Sequence, residues 1–193
     1  MPKVYKWFTI KSLLLTAGVM FMSEPVYFYT KGYLAQILLE RAWNMTMDIT
    51  SPQLAWPWAR SYPVGKIYFP RLGKSFTILN DTSNESLAFG PGNVENTSRP
   101  GEAGNICIAG HRDSFFSGIK DLRIGDVIRI DGIEKAQLFQ IEKTNIVFPD
   151  KIEWIQPTDN SVLTLITCYP FEFIGEAPQR YIIRAVPIHE DDQ

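Results

Sequence analysis

From Gly65 onward the sequence alternates short apolar runs with turn-forming residues, and this alternation limits the fold more than any other feature. Seven runs have the composition of strands, namely residues 66–69, 76–79, 105–109, 127–130, 136–143, 162–167 and 181–186. Glycine, proline, asparagine and aspartate separate the runs, and these residues favour turns. Asp131-Gly132 is the best hairpin signal among them. The pattern predicts an all-β domain, and pattern alone leaves a closed barrel and a sandwich both open.

One of these runs ends at a cysteine. Residues 161–171 read Ser-Val-Leu-Thr-Leu-Ile-Thr-Cys-Tyr-Pro-Phe, and Pro170 cannot continue a ladder, so a buried strand is expected to stop just after Cys168. A side chain at a strand end is held rigidly and can still face a cleft. Cys168 is therefore either a nucleophile or a small core residue, and its position alone favours neither.

A histidine occupies a similar place at the end of another run. His111 follows the apolar residues 105–109 and Gly110, whereas His189 lies in a charged C-terminus that we expect to be frayed. A thiol is a poor nucleophile until it is ionised, and imidazole exchanges a proton near neutrality. Adjacent or nearby strands could therefore bring His111 to Cys168 as its base.

Two arginines belong to the last run. Arg180 stands at its start and Arg184 inside it, and strand alternation places both on one face. A guanidinium near an acyl-transfer centre can hold substrate carbonyl groups or a developing oxyanion. The alternative is that both arginines are solvent-facing strand residues, which we favour for Arg184. Residues 171–178, between Cys168 and Arg180, are expected to wall a substrate groove.

The first 45 residues predict a membrane-anchor helix. Lys3, Lys6 and Lys11 precede an apolar stretch, residues 12–29, that is interrupted only at residues 23–25. No small-x-small cleavage site follows, so we expect the segment to be retained. The lysines place the N-terminal end in the cytoplasm and the remainder outside it. A buried amphipathic helix of a soluble protein is the alternative.

Composition divides the chain into three parts. Residues 1–45 hold the anchor and a juxtamembrane helix, residues 46–65 form a linker rich in proline and tryptophan, and residues 66–193 form the β domain. A net charge of −2 without a basic stripe argues against nucleic acid as a partner. We expect no cofactor and no metal, because phosphate-binding glycine loops and metal-type cysteine and histidine spacings are absent from the sequence.

Three separated motifs resemble those of the sortases, the membrane-anchored cysteine transpeptidases. The motifs are Thr164-Leu165-Ile166-Thr167-Cys168, similar to the Thr-Leu-x-Thr-Cys signature, Gly104-Asn105 with Ala109-Gly110-His111-Arg112-Asp113 before it, and Arg180-Tyr181 after it. The resemblance covers roughly residues 67–186. The stretch Lys31-Gly32 and residues 35–39 before Ala42-Trp43 are most similar to the Gram-negative, marine-proteobacterial branch, class GN.

The resemblance implies a fold and an activity. The fold would be a closed sortase-type β-barrel of about eight strands with short helices, preceded by the anchor helix in the inner membrane, with the catalytic domain in the periplasm. The eighth strand would be short or hidden between Leu87 and Pro100. The activity would be cleavage of a Leu-Pro-x-Thr-Gly-like C-terminal sorting signal on a substrate protein, through a thioacyl-enzyme intermediate, with transfer to an amine acceptor.

The same resemblance matches four site residues. Cys168 would attack the peptide carbonyl, and His111 would give a proton to the departing amine and later act as base. Arg180 would steady the substrate backbone or the oxyanion. Thr167, beside the nucleophile, would contact the substrate or would be an ordinary strand residue.

Three other interpretations stay open at this point. Water in place of the amine would make the protein a hydrolytic cysteine peptidase. With a structural Cys168, the chain would be a non-catalytic, membrane-anchored periplasmic binding module. A disulfide between Cys107 and Cys168 is the structural alternative to catalysis, because the extracytoplasmic side is oxidising. We favour a reduced, sheltered Cys107, because a bridge would remove the nucleophile.

Overall fold

A computed structural model of the chain describes residues 2–49 and 51–188. Helix α1, Pro2–Ile49, opens the chain. The chain forms two compact units, Met1–Ile37 and Leu38–Gln193. Among the described residues, no helix is both long and apolar enough to span a bilayer, so the predicted transmembrane helix is not found there. His189 lies outside the described residues.

The second unit contains eight strands and several short helices. The strands are β1 (Pro63–Phe69), β2 (Lys74–Leu79), β3 (Gly92–Asn93), β4 (Asn105–Ala109), β5 (Val127–Gly132), β6 (Ala136–Val147), β7 (Val162–Tyr169) and β8 (Gln179–Pro187). Helix α2 is Asn84–Leu87, and 3-10 helices lie at Pro70–Leu72, Ile119–Asp121 and Ile152–Ile155. Two connections matter below: the β6–β7 loop, residues 148–161, and the β7–β8 loop, residues 170–178.

The strands close into one barrel in the order β1-β2-β3-β4-β7-β8-β6-β5. The pairs β2 with β3 and β4 with β7 are parallel, and the other pairs are antiparallel. The predicted barrel of about eight strands is confirmed. The missing strand is β3, which falls between Leu87 and Pro100 as expected and is only two residues long.

Alternation along the strands separates a packed interior from the outer face of the barrel. On the three neighbouring strands β4, β7 and β8, the buried inward side chains include Ile108, Leu165 and Ile183. Burying an aliphatic side chain of this size stabilises the fold by about 1.5–3 kcal/mol. Because neighbours along a strand point to opposite faces, this inward set fixes which residues lie on the outer face.

The hairpin predicted at Asp131-Gly132 is present, but its turn lies two residues later, at residues 133–134. Asp131 and Gly132 still belong to β5, and the Gly132 amide donates to the Lys135 carbonyl across the turn at 3.0 Å. Gly132 is required by a close approach, because a Cβ atom there would lie 2.1 Å from the Pro100 carbonyl oxygen. The absence of a side chain at Gly132 therefore allows the backbone at Pro100 to pack against β5.

Candidate active site

The strand register brings the predicted cysteine, histidine and arginine to one end of three adjacent strands. Cys168 on β7 is directly opposite Arg180 on β8. On the other side of β7, Ala109 is opposite Ile166, and the Gly110 amide donates to the Ile166 carbonyl at 3.1 Å. β4 ends at Ala109, and the same parallel register, extended two residues beyond it, leads from Ile166 and Ala109 to Cys168 and His111. Neighbouring strands are about 4.8 Å apart, so the three residues form one row.

This row lies on the outer face of the barrel. Leu165 and Ile183 point inward as a register pair, so Cys168 and Arg180, an odd number of residues away, point outward. The side chains of Cys168, His111 and Arg180 are all half-buried. They are therefore held by the fold and still open to a ligand. Among the described residues, no hydrogen bond joins the Cys168 thiol to the His111 imidazole.

A second row lies below the first and is apolar. Ala109, Ile166 and Ile182 occupy neighbouring register positions on the same outer face. Below it, a third row contains Cys107, Thr164 and Arg184. The outer face thus has three parts: the row of Cys168, His111 and Arg180, then the apolar row, and then the third row, which we call the buried polar end.

Thr167 does not face this surface. Its side chain is only 2% exposed, and its hydroxyl donates a 2.7 Å hydrogen bond to the Gly110 carbonyl. Of the two expectations for Thr167, this placement favours an ordinary strand residue over a substrate contact. The reason is strand alternation, which turns Thr167 inward when its neighbour Cys168 points outward. Thr167 instead holds the residue that precedes His111.

The β6–β7 loop covers the buried polar end. Asn105 Nδ2 donates to the carbonyls of Trp154 and Gln156, both at 2.9 Å, and Asn105 Oδ1 accepts from the Thr164 hydroxyl at 2.7 Å. Arg184 Nη1 donates to the Trp154 carbonyl at 3.4 Å and its guanidinium lies over the indole, 5.8 Å from the ring centroid. Arg184 is on the outer face but is half-buried rather than fully solvent-facing as expected, because Trp154 of the β6–β7 loop contacts it.

Cys107 is sealed beneath the same loop. Its side chain is 0% exposed, and burial raises the pKa of the thiol to about 11. Hydrogen bonds with Thr164 and Thr97 and the positive charge of Arg184 act in the opposite direction and lower the pKa, but burial is the larger effect. Both cysteines are free. Cys107 is opposite Thr164, four residues before Cys168, which is about 13 Å along the strand. A disulfide needs Cα atoms within about 7 Å, so the alternative of a bridge does not fit this fold.

The β7–β8 loop connects Cys168 to Arg180 and is held by cationic side chains. Arg180 Nη1 donates to the carbonyls of Ala177 at 3.2 Å and Gln179 at 3.0 Å. Arg112, the residue after His111, donates from Nη2 to the carbonyls of Phe173 and Gly175. Sequence reasoning missed this role of Arg112, and its only signal was adjacency to the histidine in the quoted motif.

The groups in the row have complementary chemistry. A thiol can attack a carbonyl carbon, an imidazole can carry the proton, and a guanidinium can stabilise a developing negative oxygen. Among the described residues, no cluster of three or more histidine, cysteine, aspartate or glutamate side chains could hold a metal ion. The chemistry that these residues themselves supply is acyl transfer by covalent catalysis.

Comparison with known proteins identifies relatives of the whole barrel. A family model described as "Sortase domain" matches residues 67–188. Sortase D of Bacillus subtilis (strain 168) is 34% identical over 120 residues, which cover 62% of this chain and 61% of that protein. The match therefore spans less than two thirds of the curated relative.

Solved structures show the same architecture. A Clostridium perfringens Sortase D5 transpeptidase has a TM-score of 0.66 at 22% identity, covering 81% of this chain and 99% of the other. The pilus-related Sortase C of Group B Streptococcus has a TM-score of 0.60 at 27% identity, covering 67% and 69%. These relatives are sortases of types D and C, and they do not support the class GN branch that the N-terminal stretch suggested.

Proposed function

The chain belongs to the sortase family, and we propose on that basis that it is a cysteine transpeptidase with Cys168 as its nucleophile. The observation that carries the proposal is the register of β4, β7 and β8, which sets Cys168 opposite Arg180 and leads β4 towards His111 on the other side. A thiol, an imidazole and a guanidinium in one half-buried row supply the groups that acyl transfer needs.

The proposed reaction has two halves. The Cys168 sulfur, as thiolate, attacks the scissile carbonyl carbon, and the carbon–nitrogen bond breaks as His111 gives a proton to the departing amine. The acyl group is then a thioester on Cys168. An acceptor amine attacks this thioester, His111 takes the proton from that amine, and the sulfur leaves. Arg180 donates hydrogen bonds to the carbonyl oxygen, which becomes negative in both tetrahedral intermediates.

We propose a Leu-Pro-x-Thr-Gly-like C-terminal sorting signal on a substrate protein as the acyl donor, and an amine of the cell envelope or of a protein as the acceptor. The half-buried side chains of Ala109 and Ile166, in the apolar row next to Cys168, support an extended peptide with an apolar side chain near the scissile bond. The β6–β7 and β7–β8 loops flank this outer face and would meet the rest of the peptide.

An inner-membrane, extracytoplasmic location is also a proposal. Its support is the lysines of the N-terminal segment and the exposed apolar side chains of α1, which include Leu13, Leu15 and Phe21 at 71%, 72% and 84% exposure. Alkaline carbonate extraction of membranes that contain the full chain tests the anchor, and protease added to spheroplasts tests the side. Release of the chain by carbonate would contradict the anchor.

The decisive experiment is a ligation assay with the full chain. The protein is incubated with a peptide that carries the sorting signal, with and without an amine nucleophile, and the products are identified by mass spectrometry. We expect amine-ligated product, a thioester adduct on Cys168, and neither with Cys168→Ala. Free acid alone, even with amine present, would indicate the hydrolytic peptidase. Peptide binding without an adduct or a product would indicate the binding module.

A further inference from the structure

The guanidinium of Arg112 has no part in the reaction above, yet it binds the segment that joins two of the reacting residues. Arg112 Nη2 donates to the Phe173 carbonyl and, at 2.9 Å, to the Gly175 carbonyl. The guanidinium also lies 5.8 Å from the centroid of the Phe173 ring. Arg112, which directly follows His111, is thus bound to the middle of the β7–β8 loop.

Arg180 continues the same pattern along the loop. Its Nη1 binds the carbonyls of Ala177 and Gln179. The carbonyls of residues 173 and 175 are therefore taken by Arg112, and those of residues 177 and 179 by Arg180. Hydrogen bonds from a charged donor are stronger than neutral ones, so each guanidinium restrains its half of the loop. The two arginines therefore fix the conformation of the loop together.

The arrangement connects the two sides of Cys168. Arg112 follows His111 in the chain, and Arg180 sits opposite Cys168 on β8. If residues 173–175 moved away from Arg112, the neighbouring Ala177 could shift, and the guanidinium of Arg180, which binds the Ala177 carbonyl, would shift with it. Small displacements of this kind are costly, because a misplacement of about 1 Å can lower a rate by about 100-fold.

The other amino group of Arg112, Nη1, is buried and, among the described residues, unpaired, and this suggests a functional reason for the residue. Arg112 Nη1 is buried, and in the part of the chain that the structure describes no atom accepts a hydrogen bond from it. Buried polar atoms in stable folds almost always have partners, so this one donor adds nothing to the stability that the Nη2 bonds provide. Sequences break such local rules mainly where function requires it.

We propose that Arg112 is a positioning residue for acyl transfer: by fixing the β7–β8 loop to the segment that contains His111, it positions the guanidinium of Arg180, the residue opposite Cys168. This inference rests on the proposed function for its catalytic consequence, but the fixing of the loop can be measured without any turnover. Lys120 offers a matched control, because it binds the same loop through an exposed ion pair with Glu172 at 3.0 Å. Exposed pairs of this kind contribute little.

The first experiment measures the loop in the full chain. Chymotrypsin is used because Phe171 and Phe173 lie in the β7–β8 loop. Arg112→Gln is expected to raise the rate of cleavage at these residues by about tenfold, since opening of the loop no longer breaks the guanidinium bonds. Lys120→Gln should stay within about twofold of the unmodified protein. Equal cleavage of the Arg112→Gln and unmodified chains would overturn the proposal.

The second experiment separates positioning from stability. Arg112→Gln is expected to lower kcat/KM by about 10- to 100-fold, mainly through kcat, with little change in the thermal midpoint. In an Arg180→Lys background, the same substitution should cost less than about threefold, because its effect passes through Arg180. A full additional loss in that background would overturn the proposal. If the unmodified chain ligates no peptide, the proposed function fails while the cleavage rates still decide whether Arg112 fixes the loop.

Discussion

The hydroxyl of Thr167 donates a 2.7 Å hydrogen bond to the carbonyl of Gly110, and this bond fixes the residue before the histidine to the residue before the nucleophile. The two strands involved are parallel neighbours, and their backbone ladder ends with the Gly110 amide bound to the Ile166 carbonyl. Thr167 extends this ladder by one further bond, made by a side chain. The position of His111 relative to Cys168 therefore depends on Thr167.

Thr167→Val is expected to impair catalysis while preserving shape. Valine keeps the branched side chain but leaves the buried Gly110 carbonyl without its donor, at a cost of about 1–3 kcal/mol in the free energy of unfolding. We expect kcat to fall more than KM rises, because the change loosens His111 and leaves the groove surface intact. Steady-state kinetics and thermal unfolding check this. Thr167→Ser is the control, and a serine variant as impaired as the valine variant would contradict the role of the hydroxyl.

The two thiols are expected to behave differently towards alkylation. Iodoacetamide added to the folded chain at pH 8 should label Cys168, which is half-buried on the outer face, and leave the buried Cys107 unmodified. Peptide mapping by mass spectrometry gives the labelled positions, and urea should expose the second thiol. Cys107→Ala should keep most of the ligation activity, whereas Cys168→Ala should have none. Rapid labelling of Cys107 in the folded chain would contradict the cover provided by the β6–β7 loop.

Alkali should destabilise the protein through Cys107. The folded state raises the pKa of this thiol from 9.0 to about 11 because burial disfavours the thiolate. The folded chain therefore holds the proton more tightly than the unfolded chain does. The resulting stability is fully present below pH 9 and is lost as the pH rises towards 11. Thermal midpoints measured from pH 8 to 10.5 should fall less steeply for Cys107→Ala than for the unmodified chain; parallel curves would contradict this.

Asn105→Ala is expected to release the β6–β7 loop. The substitution removes both amide donors to the Trp154 and Gln156 carbonyls and leaves the Thr164 hydroxyl without its acceptor. We expect a loss of about 1–3 kcal/mol in unfolding free energy and a higher KM, because this loop borders the groove. Faster alkylation of Cys107 would report the opening directly. The exposed Asn145 of β6, changed to alanine, is the control, and equal effects of the two substitutions would contradict a specific role for Asn105.

The fold was largely predictable because strands leave a periodic pattern of apolar and polar residues in the sequence. Alternating apolar runs and turn residues located seven strands, and β3 was missed because two residues cannot display a period. The turn after β5 was misplaced by two residues, since Gly132 resembled a turn residue but is needed for the approach of Pro100. That requirement comes from a distant part of the chain and has no local signal.

The site was predictable only in part, for a related reason. Cys168, His111 and Arg180 could be predicted because a thiol, an imidazole and a guanidinium are typical catalytic groups and each residue lies at a strand end. Arg112 acts on the carbonyls of residues 173 and 175, and backbone acceptors leave no mark in a sequence. Thr167 was expected to contact the substrate or to be an ordinary strand residue, and its alternation with Cys168, visible in the sequence, already favoured an inward side chain.

The parallel pairing of β4 with β7 also has a consequence for how the protein matures. Parallel strands cannot be joined by a tight hairpin, and here Asn105 pairs with Val162 across two intervening strands. Contacts between such distant residues form slowly, because a long loop must close before they are gained. The histidine and the cysteine consequently meet only when the barrel closes. In a chain whose barrel is incomplete, Cys168 would lack His111 as a neighbour, and we expect the reactivity of the thiol to appear only when folding is complete.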